Sequence, residues 1–244
     1  MDIPNEAYSR TVEALLKLSK SYEKLKVNDI AEQALLPRDQ VLRILSQFGF
    51  YEEEFPLTED RKVDIVLQAL ERGIDGERIA RYLDWREFEK LVGKVFSRVG
   101  YETLWNLNLI LEGQKCQIDL LAYRSNLILL IDCKHWKKPP PPSAELKIIE
   151  AQERRLEILR RIIEGVTKRD IEPKRIYLVP LVLSLYQPSR KILEGHVFSS
   201  IGKLRGMLEY IESAYFQLRH EKLKIPAEED LSNVISRIFK RGKR

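Results

Sequence analysis

The sequence predicts an α/β protein, a mixed sheet flanked by helices and preceded by a small all-α region. Three observations carry this. Residues 1–80 show helical apolar spacing rather than strand-like alternation. From residue 84 the order becomes helix, three strand-like runs, helix, strand, strand, helix, which is the pattern of an α/β domain. Within it, the runs at 115–123 and 127–134 read as a hairpin, and each holds an aspartate where charge is expensive.

The elements follow in order. Residues 5–23 carry helical spacing at Val12, Leu15, Leu16 and Leu18. "KVNDIAEQALLPRDQVLRILSQFGFY" reads as two short helices around a Leu36-Pro37 break, with Gly49 ending the second. The second, near 38–48, presents Arg38, Gln40 and Arg43 and has the place of a recognition helix. "FGFYEEEFPLT" fits a short wing, although its "YEEEF" is acidic. A helix then runs to Gly73 and "DGERIARYL" begins another, with a boundary near 80.

"DWREFEKLVGKVFSRVGY" is an amphipathic helix with Asp84 as N-cap and Gly100 as stop. A strand is expected at 102–111, then the two hairpin runs. "PPPPS" reads as a loop or a short polyproline segment. "AELKIIEAQERRLEILRRIIEGV" is a long charged helix. "RIYLVPLVLSLY" is a buried strand in which Pro180 suggests a bulge or an edge. "GHVFSSIGKLRGMLEYIESAYFQL" gives a short strand and a helix, and residues 226–240 a last amphipathic helix. The expected division is therefore 1–80, 84–218 and 219–244.

Composition narrows the function classes. The chain has 244 residues, enough to bury a large core or two modest ones. No uncharged apolar run reaches the roughly 18 residues a membrane span needs. The start, "MDIPNEAYSR", lacks the pattern of a secretory signal. Cys116 and Cys133 are too few for a disulfide framework and lack zinc spacing. A cytoplasmic protein without a membrane partner is the expectation. Net charge is +5 at a pI near 9.0, which leans toward a polyanionic partner. Basic groups cluster at Lys134, Lys137 and Lys138, at Arg154, Arg155, Arg160 and Arg161, at Lys168 and Arg169, and in "FKRGKR". Much Lys, Arg and Glu with little Cys and Met also fits a thermophile.

The two acids have a definite geometry. Asp132 and Lys134 share one strand face, with Cys133 on the other. A two-residue turn at Ser125-Asn126 places Asp119 directly across from Asp132. Opposed side chains have Cβ atoms roughly 4.5–5.5 Å apart, and like charges so placed repel. A divalent cation resolves that conflict. Mg²⁺ favours one or two carboxylates and retains waters. Lys134 reaches the same pocket, where it steadies charge on a transferring phosphoryl group. Ordinary salt bridging of Lys134 to either aspartate is the competing reading. Both cysteines are expected to face away from the acids, as small apolar groups. Trp85, Trp105 and Trp136 are packing residues on this reading, with Trp136 the best placed of the three to stack on a base. His135 reads as a rim residue.

An acid on the second strand, Asp-x-Lys on the third and an acidic helix before the first resemble the PD-(D/E)XK nuclease superfamily over about 84–218. "WREFEKLVGKVFSRVGY", "IDLLA" and "LLIDCKHW" are most similar to the Mrr-type restriction endonucleases, and archaeal Holliday-junction resolvases share the core. The N-terminal residues 6–58 resemble a winged helix-turn-helix. The nuclease resemblance implies Asp119 and Asp132 as metal ligands, Lys134 as catalytic lysine, and Glu89 as a further acid able to hold metal. It also implies a Cys133 carbonyl facing the metal, and Gln152 as a polar helix residue. Ile118 stands where the family has proline, Asp132 is shorter than the usual Glu, and "KKPPPP" is an unusual insertion.

The resulting expectation is a Mg²⁺- or Mn²⁺-dependent DNA endonuclease of repair, recombination or restriction. Arg38, Gln40, Arg43, Lys137, Lys138, Arg154 and Arg155 would bind DNA, with salt-dependent affinity. A homodimer fits, because cutting both strands usually takes two sites. The rival expectation is a non-catalytic DNA-binding protein or transcriptional regulator on a nuclease-like scaffold.

Overall fold

A computed structural model of the chain describes residues 3–136, 141–167 and 173–241. Lys137, Lys138, Lys168 and Arg169 lie outside the described residues, as does most of the charged C-terminal tip. The chain divides into two compact units, Met1–Lys94 and Val95–Arg244.

The first unit holds α1 (Asn5–Leu18), β1 (Lys24–Lys26), α2 (Val27–Ala34), α3 (Arg38–Gln47), β2 (Glu54–Pro56), α4 (Glu59–Glu71) and α5 (Gly76–Ala80). Val12, Leu15, Ile30, Val41, Ile44, Val66 and Ile79 are all buried, so each helix turns apolar residues inward. Leu35 ends α2 in a left-handed conformation (φ 53°), and Pro37 caps α3 rather than entering its first turn. Gly49, at φ +80°, ends α3 as its position suggests. β1 and β2 pair antiparallel, Leu25 opposite Phe55. The acidic segment "YEEEFP" therefore supplies a real strand.

The division between units falls inside α6 (Trp85–Arg98). Its start is a reciprocal cap. The Glu87 N–H donates to Asp84 Oδ1 (2.8 Å) and the Asp84 N–H to Glu87 Oε2 (2.8 Å).

The second unit adds β3 (Glu102–Leu111), β4 (Gln114–Arg124), β5 (Leu127–Lys134), α7 (Pro142–Val166), β6 (Pro173–Ser184), β7 (Ile192–Leu193), β8 (His196–Ser200), α8 (Leu204–Ala214), β9 (Glu221–Pro226) and α9 (Leu231–Arg241). Its seven-stranded mixed sheet has the order β3-β4-β5-β6-β8-β7, with β9 also on β6. β3, β4 and β5 are antiparallel neighbours, whereas β5, β6 and β8 run parallel. Glu112 and Gly113 both have positive φ (50° and 79°), as a tight mirror-type hairpin turn requires. In the β4–β5 turn Ser125 alone is left-handed (φ 56°).

One face of the sheet packs against α7 and α9. Ile128 and Leu130 of β5, Ile176 and Leu178 of β6, and Leu223 and Ile225 of β9 share a buried cluster with Leu156, Leu159, Ile163, Ile235 and Ile238. Each such side chain contributes about 1.5–3 kcal/mol on full burial. Asp132 and Lys134 continue the even-numbered β5 positions and so lie on this face. No helix among the described residues is long and apolar enough to cross a membrane.

Several local expectations change. Pro141 caps α7 and Pro142 is its first residue, so the end of the proline run starts a helix, as fixed φ and a missing N–H favour. β6 is an interior strand, and Pro180 is neither in a bulge nor on a full edge. The Tyr177 N–H bonds Asn126 O and the Leu185 N–H bonds Lys134 O, so odd-numbered N–H groups point to β5. Even-numbered ones point the other way, where the β9 ladder ends at Leu178 and the β8 ladder begins at Leu181. Pro180 occupies the one gap in which no donor is needed. β9 was not anticipated at all, and with α9 it completes the sheet and its apolar cluster.

Candidate active site

The β4–β5 ladder runs from Arg124↔Leu127 to Leu120↔Ile131, the register expected of a two-residue turn. Its next step is the Asp119–Asp132 position. There the backbone ladder stops and side chains take over. Asp119 is buried and its Oδ2 accepts the Cys133 backbone N–H at 2.9 Å. The β3–β4 pairing also skips Asp119, together with Asn106, which is left-handed at φ 50°. Strand alternation changes phase at this point. Ile118 and Cys116 therefore pack in the same cluster as Leu121 and Tyr123, which corrects the expectation that Cys116 faces away from the acids' side. Cys133 is buried, and both cysteines are free thiols.

Asp132 is 2% exposed and is held by two cations. Lys134 Nζ donates to Oδ1 at 3.0 Å and lies 2.9 Å from Oδ2. Arg155 of α7 places Nη1 3.6 Å from Oδ1, while its Nε donates to the Gln117 carbonyl at 2.8 Å. A buried carboxylate without partners would be strongly disfavoured, and these two charges offset that. The salt bridge expected as the plainer alternative is thus present in this structure. Two residues before Arg155, on the other side of α7, Glu153 binds Arg219 through both oxygens (2.7 and 2.8 Å) and lies 2.9 Å from His196 Nε2. Burial pushes the His196 imidazole below its ordinary range, against the pull of Glu153.

Could this pair hold a divalent cation? Among the described residues no three His, Cys, Asp or Glu side chains gather as a metal cluster. The donors the structure brings together here are the Asp119 and Asp132 carboxylates. Two hard carboxylates fit Mg²⁺, which takes one or two protein carboxylates and completes its shell with water and phosphate. They do not suit a soft metal.

The remaining site candidates lie on α3, α6 and α7. Glu89 lies in the first unit, on α6, largely buried, with its carboxylate accepting from Trp85 Nε1. Burial raises its pKa above the usual carboxylate range, and the Trp85 bond works the other way. On α3, Arg38 is bound by Glu53 and by Asn28 Oδ1, Gln40 is half-buried, and Arg43 is exposed. Arg154 is exposed on α7. Gln152 is fully buried, and its Nε2 reaches the carbonyls of Leu130 (3.3 Å) and Leu181 (3.2 Å), tying β5 to β6. Trp136 packs against Ile148, Ile149, Val182 and Phe198. The contact of Arg155 with Asp132 was missed at the level of sequence. Its signal was spacing: Gln152, Arg155, Leu156, Leu159 and Ile163 form one inward stripe, and Arg154 lies off it.

Residues 79–151 match the Mrr_cat family model, described as a restriction endonuclease. The stretch contains Glu89, Asp119, Asp132, Cys133 and Lys134. Over these residues the chain is similar to restriction endonucleases, which supports a nuclease-type function. No curated protein matches the chain. Among solved structures, one similar chain is a protein of unknown function, AF1548, at 14% identity and a TM-score of 0.28, covering 61% of this chain and 64% of that one. This chain thus spans less than two thirds of its length. Another is the small subunit of the heterodimeric restriction endonuclease R.BspD6I, at 13% identity and a TM-score of 0.34, covering 72% of this chain and 87% of that one.

Proposed function

We propose that the protein is a metal-dependent DNA endonuclease with Asp119, Asp132 and Lys134 at its centre. The observation that supports this most is the placement of two buried carboxylates and a lysine where the β4–β5 ladder ends, inside the segment similar to restriction endonucleases. Asp119, Asp132 and the Cys133 carbonyl would hold Mg²⁺ or Mn²⁺. When bound, the cation supplies Lewis-acid stabilisation of charge developing on the scissile phosphate.

The chain's own groups do the rest. The Cys133 N–H fixes the Asp119 carboxylate against β5, which saves reorganisation during the reaction. The Lys134 side chain is 24% exposed while its ammonium is paired with Asp132. A phosphate oxygen can take one of its three donors. The first unit, with α2–α3 and the β1–β2 ladder, would dock duplex DNA as a winged helix-turn-helix, using Arg43, Gln40 and Arg38. Arg154, Lys137 and Lys138 would hold backbone phosphates, and two copies would cut both strands.

The test is Mg²⁺- or Mn²⁺-dependent cleavage of duplex, flap, single-stranded and four-way-junction DNA. Asp119→Ala and Lys134→Ala are expected to abolish cleavage and leave binding largely intact. Undiminished cleavage in either variant overturns the assignment. Sequence-specific binding without any metal-dependent nicking would instead favour a regulator.

A further inference from the structure

Arg155, a DNA-binding candidate by sequence, lies beside Asp132, with Nη1 3.6 Å from Oδ1. It is 21% exposed and anchored through Nε to the Gln117 carbonyl, with Nη1 aimed at Asp132. It rises from α7 and spans the point where β4 and β5 have lost their backbone pairing. Counted by formal charge, Asp119 and Asp132 are balanced by Lys134 and Arg155. A site that is already neutral attracts a dication weakly. A phosphate entering beside Lys134 and Arg155 adds negative charge and restores the attraction.

We propose that Arg155 is a positioning residue that couples metal binding to DNA binding: its guanidinium, at ion-pair distance from Asp132, offsets that charge in place of the cation and keeps metal affinity low until a phosphate arrives. This rests on the reading of Asp119 and Asp132 as metal ligands. The charge carries the coupling and the Gln117 bond carries the aim. A lysine at 155 keeps the first and loses the second, whereas a methionine loses both at similar volume.

The experiment is Mn²⁺ titration by electron paramagnetic resonance and calorimetry. It uses the full chain as wild type, Arg155→Met and Arg155→Lys, with and without a 20-base-pair duplex, at a pH where cleavage is slow. Circular dichroism melting confirms that each variant folds. Without DNA, Arg155→Met is expected to bind Mn²⁺ at least fivefold more tightly than wild type, and Arg155→Lys within twofold of it. The duplex should tighten Mn²⁺ binding by wild type and change Arg155→Met much less. Unchanged or weaker affinity in Arg155→Met overturns the proposal, as does equal tightening by the duplex in wild type and Arg155→Met. If no protein takes up Mn²⁺ with or without DNA, the metal-site reading itself fails and the inference falls with it. That pattern is distinct from a wild type that binds and a variant that does not differ.

Discussion

The Cys133 backbone N–H is bonded to the Asp119 carboxylate across the end of the β4–β5 ladder, at 2.9 Å. The side chain replaces the partner that the ladder no longer supplies, and a proposed ligand thereby serves as structure as well. Charge and acceptor can be separated by mutation. Asp119→Asn keeps an oxygen for Cys133 and should unfold within about 0.5 kcal/mol of the parent, yet lose metal-dependent cleavage. Asp119→Ala leaves a buried N–H unpaired and should cost about 1–3 kcal/mol in urea unfolding as well. Equal stability of the two variants would show that the bond contributes nothing.

Gln152 is a second place where one side chain ties two strands. Its amide sits between carbonyls of β5 and β6. Gln152→Met removes the donors and should cost about 1 kcal/mol. Gln152→Glu brings a buried charge against two carbonyls and should cost roughly 3 kcal/mol or more. Thermal melting monitored by tryptophan fluorescence ranks the pair, and a glutamate no worse than the methionine would contradict the contact.

Gly195 precedes β8 at φ +77°, and a Cβ there would meet the Arg219 backbone nitrogen at 2.9 Å. That nitrogen also donates to the Gly195 carbonyl at 2.8 Å. Backbone cannot move aside as a flexible side chain would. Gly195→Ala should therefore lose about 3 kcal/mol from strain and overlap together. Gly113→Ala, with nothing near its Cβ, should lose less. Denaturant midpoints of the two variants provide the comparison.

The Glu153–Arg219 pair makes a pH prediction. Burial alone would raise the Glu153 carboxyl, but the hydrogen bonds and charge of Arg219 prevail and hold it below the ordinary range. A depressed carboxylate stabilises the fold above its unfolded pKa, and that stabilisation is lost as pH falls through the folded value. Glu153→Gln should thus be less stable than wild type at pH 7, by about 1 kcal/mol or less because the side chain is over a third exposed. The difference should close on acidification through the carboxylate range. A gap that persists unchanged to strongly acid pH would count against the ion pair.

Much of the second unit could be read from sequence because its strands announce themselves locally. "ETLWNLNLIL" and "LILLIDCK" are bounded by turn residues, and the two aspartates are conspicuous in apolar runs. β9 escaped notice. "EKLKIP" does alternate, with Leu223 and Ile225 inward and Lys222 and Lys224 exposed, but it is short and follows a charged helix end. Its place beside β6 is a long-range matter that no local pattern encodes. The two residues of β7 carry no signal either. Arg155 and Arg154 look alike as types, and only the phase of α7 tells them apart. Asp119 and Asp132 were legible as neighbours because register follows from turn length. The Cys133 bond, which depends on where the ladder stops, was not.

Pro180 marks the seam where β6 changes neighbours. One flank of that strand is completed by β8, close behind it in the chain, and by β9, which follows α8. During synthesis the stretch from Pro173 to Leu178 emerges well before Glu221–Pro226. Until Glu221–Pro226 leave the ribosome, a row of open hydrogen-bonding groups stands ready for any passing strand. The sheet is sewn shut from its C-terminal end, so truncating the chain before β9 should yield an aggregating product rather than a smaller soluble one.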